Sequence, residues 1–197
     1  MIDTEILLKN GGVLIKFKKN QTIFFEGNTP LFYYQIIEGC VKMVNVNISG
    51  KEFIQGMFTK SQSFGEPVLI IDEVYPATAV VCEDSSIIKL DKAKFLNILY
   101  NYPDILLQFV QLFAKRIYDK TIISKEIAIH DPEHRIIKIL NLVKKNIAGQ
   151  ARRKFKVEIS RQQIADMTAL RVETVIRTIK VLQKKEQIII IKGKIYM

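Results

Sequence analysis

The feature that most constrains the fold is a change of periodicity near residue 90. From Val13 to Leu90 the apolar residues arrive in short runs rich in β-branched and aromatic side chains: VLIKF, QTIFF, YYQIIEG, CVKMVNVN, KEFIQGMF, YPATAVV and SSIIKL. Turn-forming residues separate them at Lys18-Lys19-Asn20, Glu26-Gly27-Asn28, Glu38-Gly39 and Ser49-Gly50. Many short strands at this spacing predict an antiparallel sandwich or roll. A short helical segment then starts at Asp91-Lys92, and Asn101-Tyr102-Pro103-Asp104 interrupts it. From Pro103 to about Ala128 there is no Gly and no further Pro, which predicts one long helix. Leu106, Val110, Phe113 and Ile117 follow three-four spacing along it; with Phe109, Ile123 and Ile127 the apolar surface is wider than one seam needs. Such a helix can pack on its own roll with one face and on a partner helix with the other, or lie sunk in a monomer core.

Charge divides the chain at a similar place. Residues 1–130 carry fourteen Lys+Arg against fourteen Asp+Glu, whereas residues 131–197 carry sixteen against six, so the net charge of +10 sits in the last third. A solubilising surface would not be segregated in this way. The asymmetry predicts a separate C-terminal module that meets a polyanion, because neutralised phosphates release counterions. Nucleic acid fits better than a membrane surface, since the basic third lacks an apolar face rich in Trp or Phe. The longest aliphatic run, Ile188 to Ile191, is far too short to span a bilayer. The first residues, MIDTEILLKNGG, place acids where a signal peptide has its basic region. Cys40 and Cys82 are too few for a disulfide framework or a four-thiolate cluster. The expected location is cytoplasmic.

His130-Asp131-Pro132-Glu133 predicts a hinge and a helix start, with Asp131 as N-cap and Pro132 as the first helical residue. That helix runs through RIIKILNLVKKN and stops near Ala148-Gly149. After the strand-like KFKVEI comes SRQQIADMTALRVETVIRTIKVLQKKEQ. Ser160 and Gln163 form a capping box for a helix over Arg161 to Met167. Thr168-Ala169-Leu170 makes the turn, and a second helix extends from about Arg171 to Lys185. Two crossed helices would bury Ile164, Ala165, Val175, Ile179 and Leu182, leaving Val172, Glu173, Ile176, Arg177 and Lys180 outward. This is a helix-turn-helix, whose second helix enters the major groove. IIIIKGKIYM adds a two-strand hairpin around Lys192-Gly193, a wing beside the groove. Glu173 and Arg177 stand four apart on one face. In isolation they would be read as an intrahelical ion pair. On a basic helix-turn-helix, base readout is favoured: Glu accepts from cytosine N4 and Arg forks onto guanine.

Residues 160–182 resemble the recognition element of the Crp/Fnr family of bacterial transcription regulators. Phe24-Phe25-Glu26-Gly27 and Tyr34-Gln35-Ile36-Ile37-Glu38-Gly39-Cys40-Val41-Lys42 are similar to that family's sensor roll. The long helix and the Asp131…Arg135-Ile136 junction are similar to its dimerisation helix and hinge. The resemblance implies an α+β chain with an N-terminal antiparallel β-roll (a double-stranded β-helix or jelly roll), a long dimerisation helix and a C-terminal winged helix-turn-helix. The boundaries are then 1–102 for a cyclic-nucleotide-binding-like sensor domain, 103–130 for the dimer helix and hinge, and 131–197 for the DNA-binding domain. It implies a sequence-specific regulator rather than an enzyme. Its partners would be double-stranded DNA, a second copy through Leu106, Val110, Phe113 and Ile117, and RNA polymerase, with no membrane.

The family's pattern places Val172, Glu173, Ile176 and Arg177 at the base edges, with a TGA-like half-site in a palindrome. Val172 stands where the cyclic-AMP receptor has an Arg, and Ile176 where the oxygen regulator has a Ser. The family's turn Gly is Ala169, and its usual N-cap Ser is Arg171. Ser160, Arg161, Gln162, Arg171, Thr174 and Lys180 are expected on the phosphate backbone, setting register without reading sequence.

The effector is the open question. Gly65-Glu66 and Pro76-Ala77-Thr78-Ala79 resemble the family's cyclic-nucleotide cassette, in which Glu takes the ribose hydroxyl and Arg the phosphate. Ala77 occupies the Arg position, and no Arg or Lys lies between Phe64 and Val81. A phosphate without its cation in a semi-enclosed site is heavily penalised, so cyclic AMP is not expected to bind tightly. Counting back from the hinge places the receptor's adenine-binding pair at Lys120-Thr121, where Lys120 could in principle approach from another direction. Gly65, Glu66, Ala77, Thr78, Lys120 and Thr121 are thus the candidate effector residues. No cofactor is expected. The oxygen regulator's N-terminal cysteines are missing, which argues against an iron–sulfur cluster. His130 and His134 have metal-like spacing but no third ligand, and residues 1–128 contain no His for a cupin-type enzyme. The alternatives are a ligand-independent regulator of the same family and an architectural DNA-binding protein. A nucleotide-sensing module without DNA function is opposed by the helix-turn-helix.

Overall fold

A computed structural model describes residues 1–48, 50, 52–129, 131–148 and 155–197, and over 126–129 and 145–148 the backbone alone. The expectations placed on Ser49, His130 and Gly149 lie outside these residues. Two compact units divide the chain, Met1–Lys115 and Arg116–Met197.

The first unit opens with helix α1 (Thr4–Lys9), which the sequence reading left unassigned; Asp3 caps it by accepting from the Glu5 amide at 2.7 Å. Strands β1 (Val13–Phe17), β2 (Thr22–Phe24), β3 (Phe32–Val46), β4 (Glu52–Thr59) and β5 (Ser63–Phe64) follow, then the short helix α2 (Pro67–Ile71) and β6 (Thr78–Asp91). Helix α3 (Lys92–Asn101) comes next, and the long α4 (Pro103–Ile129) starts in this unit and ends in the second. The sheet is antiparallel throughout, in the order β1-β6-β3-β4, with β2 also on β6 and β5 also on β3.

Strands β3 and β6 correct the sequence reading. The runs expected to break at Glu38-Gly39 form one strand of 15 residues, and YPATAVV and SSIIKL merge into one of 14. The pairing absorbs the punctuation as irregularities, with register shifts at Ile36/Glu38, Glu38/Cys40 and Cys40/Val41. Gly39 is required at the bend. Its φ is +96°, and a Cβ there would stand 2.7 Å from the Cα of Ser85 on the facing strand.

Side-chain alternation along β3 sends Tyr33 to one face and Tyr34 to the other. Tyr34 joins Phe24, Ile36, Val41, Phe64 and Tyr75 inside the roll. Tyr33 joins Leu7, Leu69, Leu90, Phe95 and Phe109 beneath the helices. The candidate dimer stripe on α4 is not uniform: Leu106, Val110 and Ile117 are 43%, 53% and 67% exposed, whereas Phe113 packs against the core beside Phe109.

The second unit contains α5 (Pro132–Ala148), β7 (Lys156–Val157), α6 (Arg161–Thr168), α7 (Val172–Lys184), β8 (Ile189–Ile191) and β9 (Lys194–Tyr196). Asp131 caps α5, accepting from the Glu133 and His134 amides at 2.9 and 3.1 Å, and the His134 ring lies 3.2 Å from the same carboxylate. These contacts hold the Asp131 carboxyl below its ordinary range, the His134 amide contributing most. The wing is larger than the expected hairpin. Strand β7, from KFKVEI, pairs with β9 to give a three-stranded sheet in the order β7-β9-β8.

Candidate nucleic-acid interface

Helix α6 begins with the full capping box. The Gln163 amide donates to Ser160 Oγ at 3.1 Å, and the Ser160 amide donates to Gln163 Oε1 at 2.7 Å. Losing the Ser160 hydroxyl leaves an amide of the first turn without its acceptor. Ser160→Ala is therefore expected to lower the stability of this unit by about 1 kcal/mol, read as a reduced midpoint in thermal unfolding followed by circular dichroism. At the other end Ala169 adopts a left-handed φ of 57°, and the Leu170 amide donates to the Ala165 carbonyl at 3.1 Å. The turn thus forms without the glycine that such a conformation favours.

Ile164, Ala165, Val175, Ile179 and Leu182 are buried, together with Ile136, Ile139 and Leu140 of α5. That core fixes which side of α7 faces outward. Glu173, Ile176, Arg177 and Lys180 are exposed, while Val172 and Thr174 are half-buried. Among the described residues neither Glu173 nor Arg177 takes part in an ion pair. Arg171 is exposed at the N-cap of α7 and makes no side-chain cap bond, so its guanidinium is not used in holding the helix. Lys185, following the helix, is tied to Glu133 of α5 at 2.7 Å.

At the start of α6, Ser160 and Gln162 are exposed and Arg161 is half-buried. Gln162 Nε2 donates to Asp166 Oδ1 at 2.8 Å, and Asp166 is buried. Asp166 was not singled out from the sequence, although its place four residues after Gln162 is the spacing at which helical side chains meet. It fixes where Gln162 points.

The candidate effector residues are divided between the two units. Gly65, Glu66, Ala77 and Thr78 belong to the first unit, while Lys120 and Thr121 belong to the second, both exposed on α4. Thr121 Oγ1 donates to the Ile117 carbonyl at 3.0 Å. Glu66 is fully buried and accepts from Ser63 Oγ at 2.6 Å. Thr78 Oγ1 accepts from the Glu26 amide at 3.0 Å. Ala77 is buried in the roll's aromatic core. There the Phe24 and Tyr75 rings stack with centroids 3.6 Å apart, and Tyr34 stacks on Phe64 at 5.5 Å. A Cβ on Gly65 would lie 3.0 Å from both Phe24 and Tyr75, so the glycine admits the rings to this position. Burial pushes the Tyr34 hydroxyl up to about 12. No group of three or more His, Cys, Asp or Glu that could hold a metal occurs among the described residues, and no helix among them is long and apolar enough to cross a membrane.

An antiparallel roll, a long helix and a winged helix-turn-helix in this order define a DNA-binding transcription regulator. Residues 14–102 match the cyclic nucleotide-binding domain, and residues 134–197 match the Crp-like helix-turn-helix domain. The chain belongs to the Crp/Fnr family of transcription regulators. It is 27% identical over 180 residues to a cAMP-activated global transcriptional regulator from Haemophilus influenzae, covering 89% of this chain and 79% of that protein. Among solved structures it superposes on the c-di-GMP responsive global regulator CLP of Xanthomonas campestris with a TM-score of 0.79, at 19% identity over 97% of this chain and 95% of that one. FixK2 of Bradyrhizobium japonicum gives a TM-score of 0.80 at 15% identity, covering 93% and 91%.

Proposed function

We propose that this chain is a homodimeric, sequence-specific transcription regulator that binds palindromic DNA with TGA-like half-sites and does not answer to cyclic AMP. The observation that carries the reading is the outward face of α7. Glu173 and Arg177 are exposed, four residues apart, on a buried scaffold, and neither is paired with the other. Val172 and Ile176 supply apolar contacts for thymine methyl groups. Arg161, Arg171 and Lys180 supply positive charge beside them, and Ser160, Gln162 and Thr174 supply backbone donors. A second copy is proposed to meet the first along α4, where Leu106, Val110 and Ile117 present apolar surface to solvent. RNA polymerase is the expected partner of the DNA-bound dimer.

Fluorescence anisotropy with a labelled TGA-half-site palindrome and a scrambled duplex of equal length tests this reading. Tighter binding to the palindrome, with two chains per duplex, is expected; equal affinity for both duplexes would leave only architectural binding.

The effector part of the proposal rests on the roll's interior. A cyclic phosphate placed beside Ala77 would meet Phe24, Tyr34, Phe64 and Tyr75 rather than a cation, and desolvation of that charge would go uncompensated. Glu66 is buried and already accepts a hydrogen bond from Ser63. Calorimetric titration with cyclic AMP is expected to give no heat at micromolar ligand. Saturable micromolar binding would overturn this part while leaving DNA recognition untouched. The Xanthomonas relative, described as responsive to c-di-GMP, indicates that this fold accommodates signals other than cyclic AMP.

A further inference from the structure

The roll's two cysteines have no part in the reading above, yet the strand register brings them together. Val41 of β3 is opposite Val81 of β6, and both valines are buried inside the roll. Alternation therefore turns the preceding residue on β3, Cys40, and the following residue on β6, Cys82, to the opposite face. The next pair in register is Cys40 with Glu83, so Cys82 is the extra residue of a bulge, and both Cys82 and Glu83 oppose Cys40. Facing Cα atoms in an antiparallel sheet lie roughly 4.5–5.5 Å apart; the residue facing Cys40 is Glu83, and Cys82 is its immediate chain neighbour in the bulge, beside a partner that a disulfide would need within about 4.4–6.8 Å. The two thiols are free.

We propose that Cys40 and Cys82 are a thiol pair that closes to an intrachain disulfide when the protein meets a peroxide-class oxidant. This inference rests on strand register and does not depend on the DNA-binding reading.

The pair is asymmetric in a way that suits the chemistry. Cys82 is half-buried, and the hydrogen bond from Cys40, with the charge of Lys42, holds its thiol below the ordinary range against the opposing effects of burial, Glu83 and Glu52. Lys42 itself is paired with Glu52 on β4. Cys40 is buried, and its bond to Cys82 together with that burial keeps it protonated. Cys82 is thus the attacking thiolate and Cys40 the resolving thiol. The Cys82 Sγ, having released its proton, attacks one peroxide oxygen. The O–O bond breaks, leaving a sulfenic acid on Cys82 and a hydroxide that takes the Cys40 proton to become water. The Cys40 Sγ then attacks the sulfenic sulfur. The S–S bond forms, the S–O bond breaks, and the departing hydroxide takes up the proton first released by Cys82. Two thiols lose two electrons in all, and one peroxide becomes two waters. A reduced thiol pool reverses the step, as for other intracellular regulatory disulfides.

The test is treatment of the reduced full-length protein with one equivalent of hydrogen peroxide, followed by maleimide labelling, intact mass and non-reducing peptide mapping. The expected result is that both thiols lose reactivity together, that the Cys40 and Cys82 peptides are joined within one chain, and that dithiothreitol restores two reactive thiols. This readout needs no variant. Cys40→Ser is expected to trap a dimedone-reactive sulfenic acid on Cys82, and Cys82→Ser to trap none on Cys40. Two thiols that stay reactive, oxidation to sulfinic acid without a crosslink, or links only between chains would each overturn the proposal.

Discussion

Replacing Arg177 with alanine is expected to remove about 1–3 kcal/mol of discrimination at the guanine of each half-site, roughly five- to 150-fold in relative affinity. The effect should fall on the palindrome and spare the scrambled duplex, because a base-edge contact contributes where its base is present and little elsewhere. Arg177 projects from the exposed side of α7, held by Val175, Ile179 and Leu182 on the other side, so its loss removes a contact without opening the core. Lys180→Ala provides the contrast. As a phosphate contact it should weaken both duplexes alike and reduce the salt slope by about one. Anisotropy titrations of both variants at several salt concentrations separate the two roles; a uniform loss in Arg177→Ala would reassign that residue to the backbone.

Phe64→Ala should do comparable damage by a different route. Phe64 is fully buried and packs on Phe24, Tyr34 and Phe58, with centroids 5.5–6.1 Å away. Truncating a ring in such surroundings costs about 3–5 kcal/mol, since the neighbouring rings relax only partly into the space. Urea unfolding followed by near-ultraviolet circular dichroism should show the roll losing most of its margin while the helix-turn-helix unit unfolds as before. A loss below about 1 kcal/mol would mean that the aromatic cluster collapses around the gap.

The parts of the fold visible in the sequence are those that local chemistry decides. Ser160 and Gln163 identify the start of α6 because a capping box needs only four consecutive residues. The buried positions of α7 are readable because helical spacing alone separates Val175, Ile179 and Leu182 from Glu173 and Arg177. The roll was legible as a class and not in detail. Gly39 has the spelling of a turn and is a bend within a strand, a distinction that depends on Ser85, 46 residues away. Pro67 after Gly65-Glu66 starts the helix α2, a segment to which the sequence assigned no element. Ala77 was readable as a missing cation, but the Phe24–Tyr75 stack beside it comes from two segments whose meeting no spacing rule foretells. Lys156-Val157 joins the wing through Tyr196 and Ile195, again a pairing across a long stretch of chain.

The length of β3 also bears on how the protein is made. Its β4 edge finds a partner a few residues downstream, but its other edge waits for β6, whose Glu83 pairs with Cys40. A chain emerging from the ribosome carries a finished β3–β4 hairpin with one bare edge until the 32 residues from Lys60 to Asp91 have been synthesised. During that interval Tyr34, Ile36 and Val41 lack the cover that β6 later provides. Slow translation or heat shock in that window would expose a strand edge ready to pair with another nascent chain, so the yield of this regulator depends on how soon β6 arrives as well as on the stability of the finished roll.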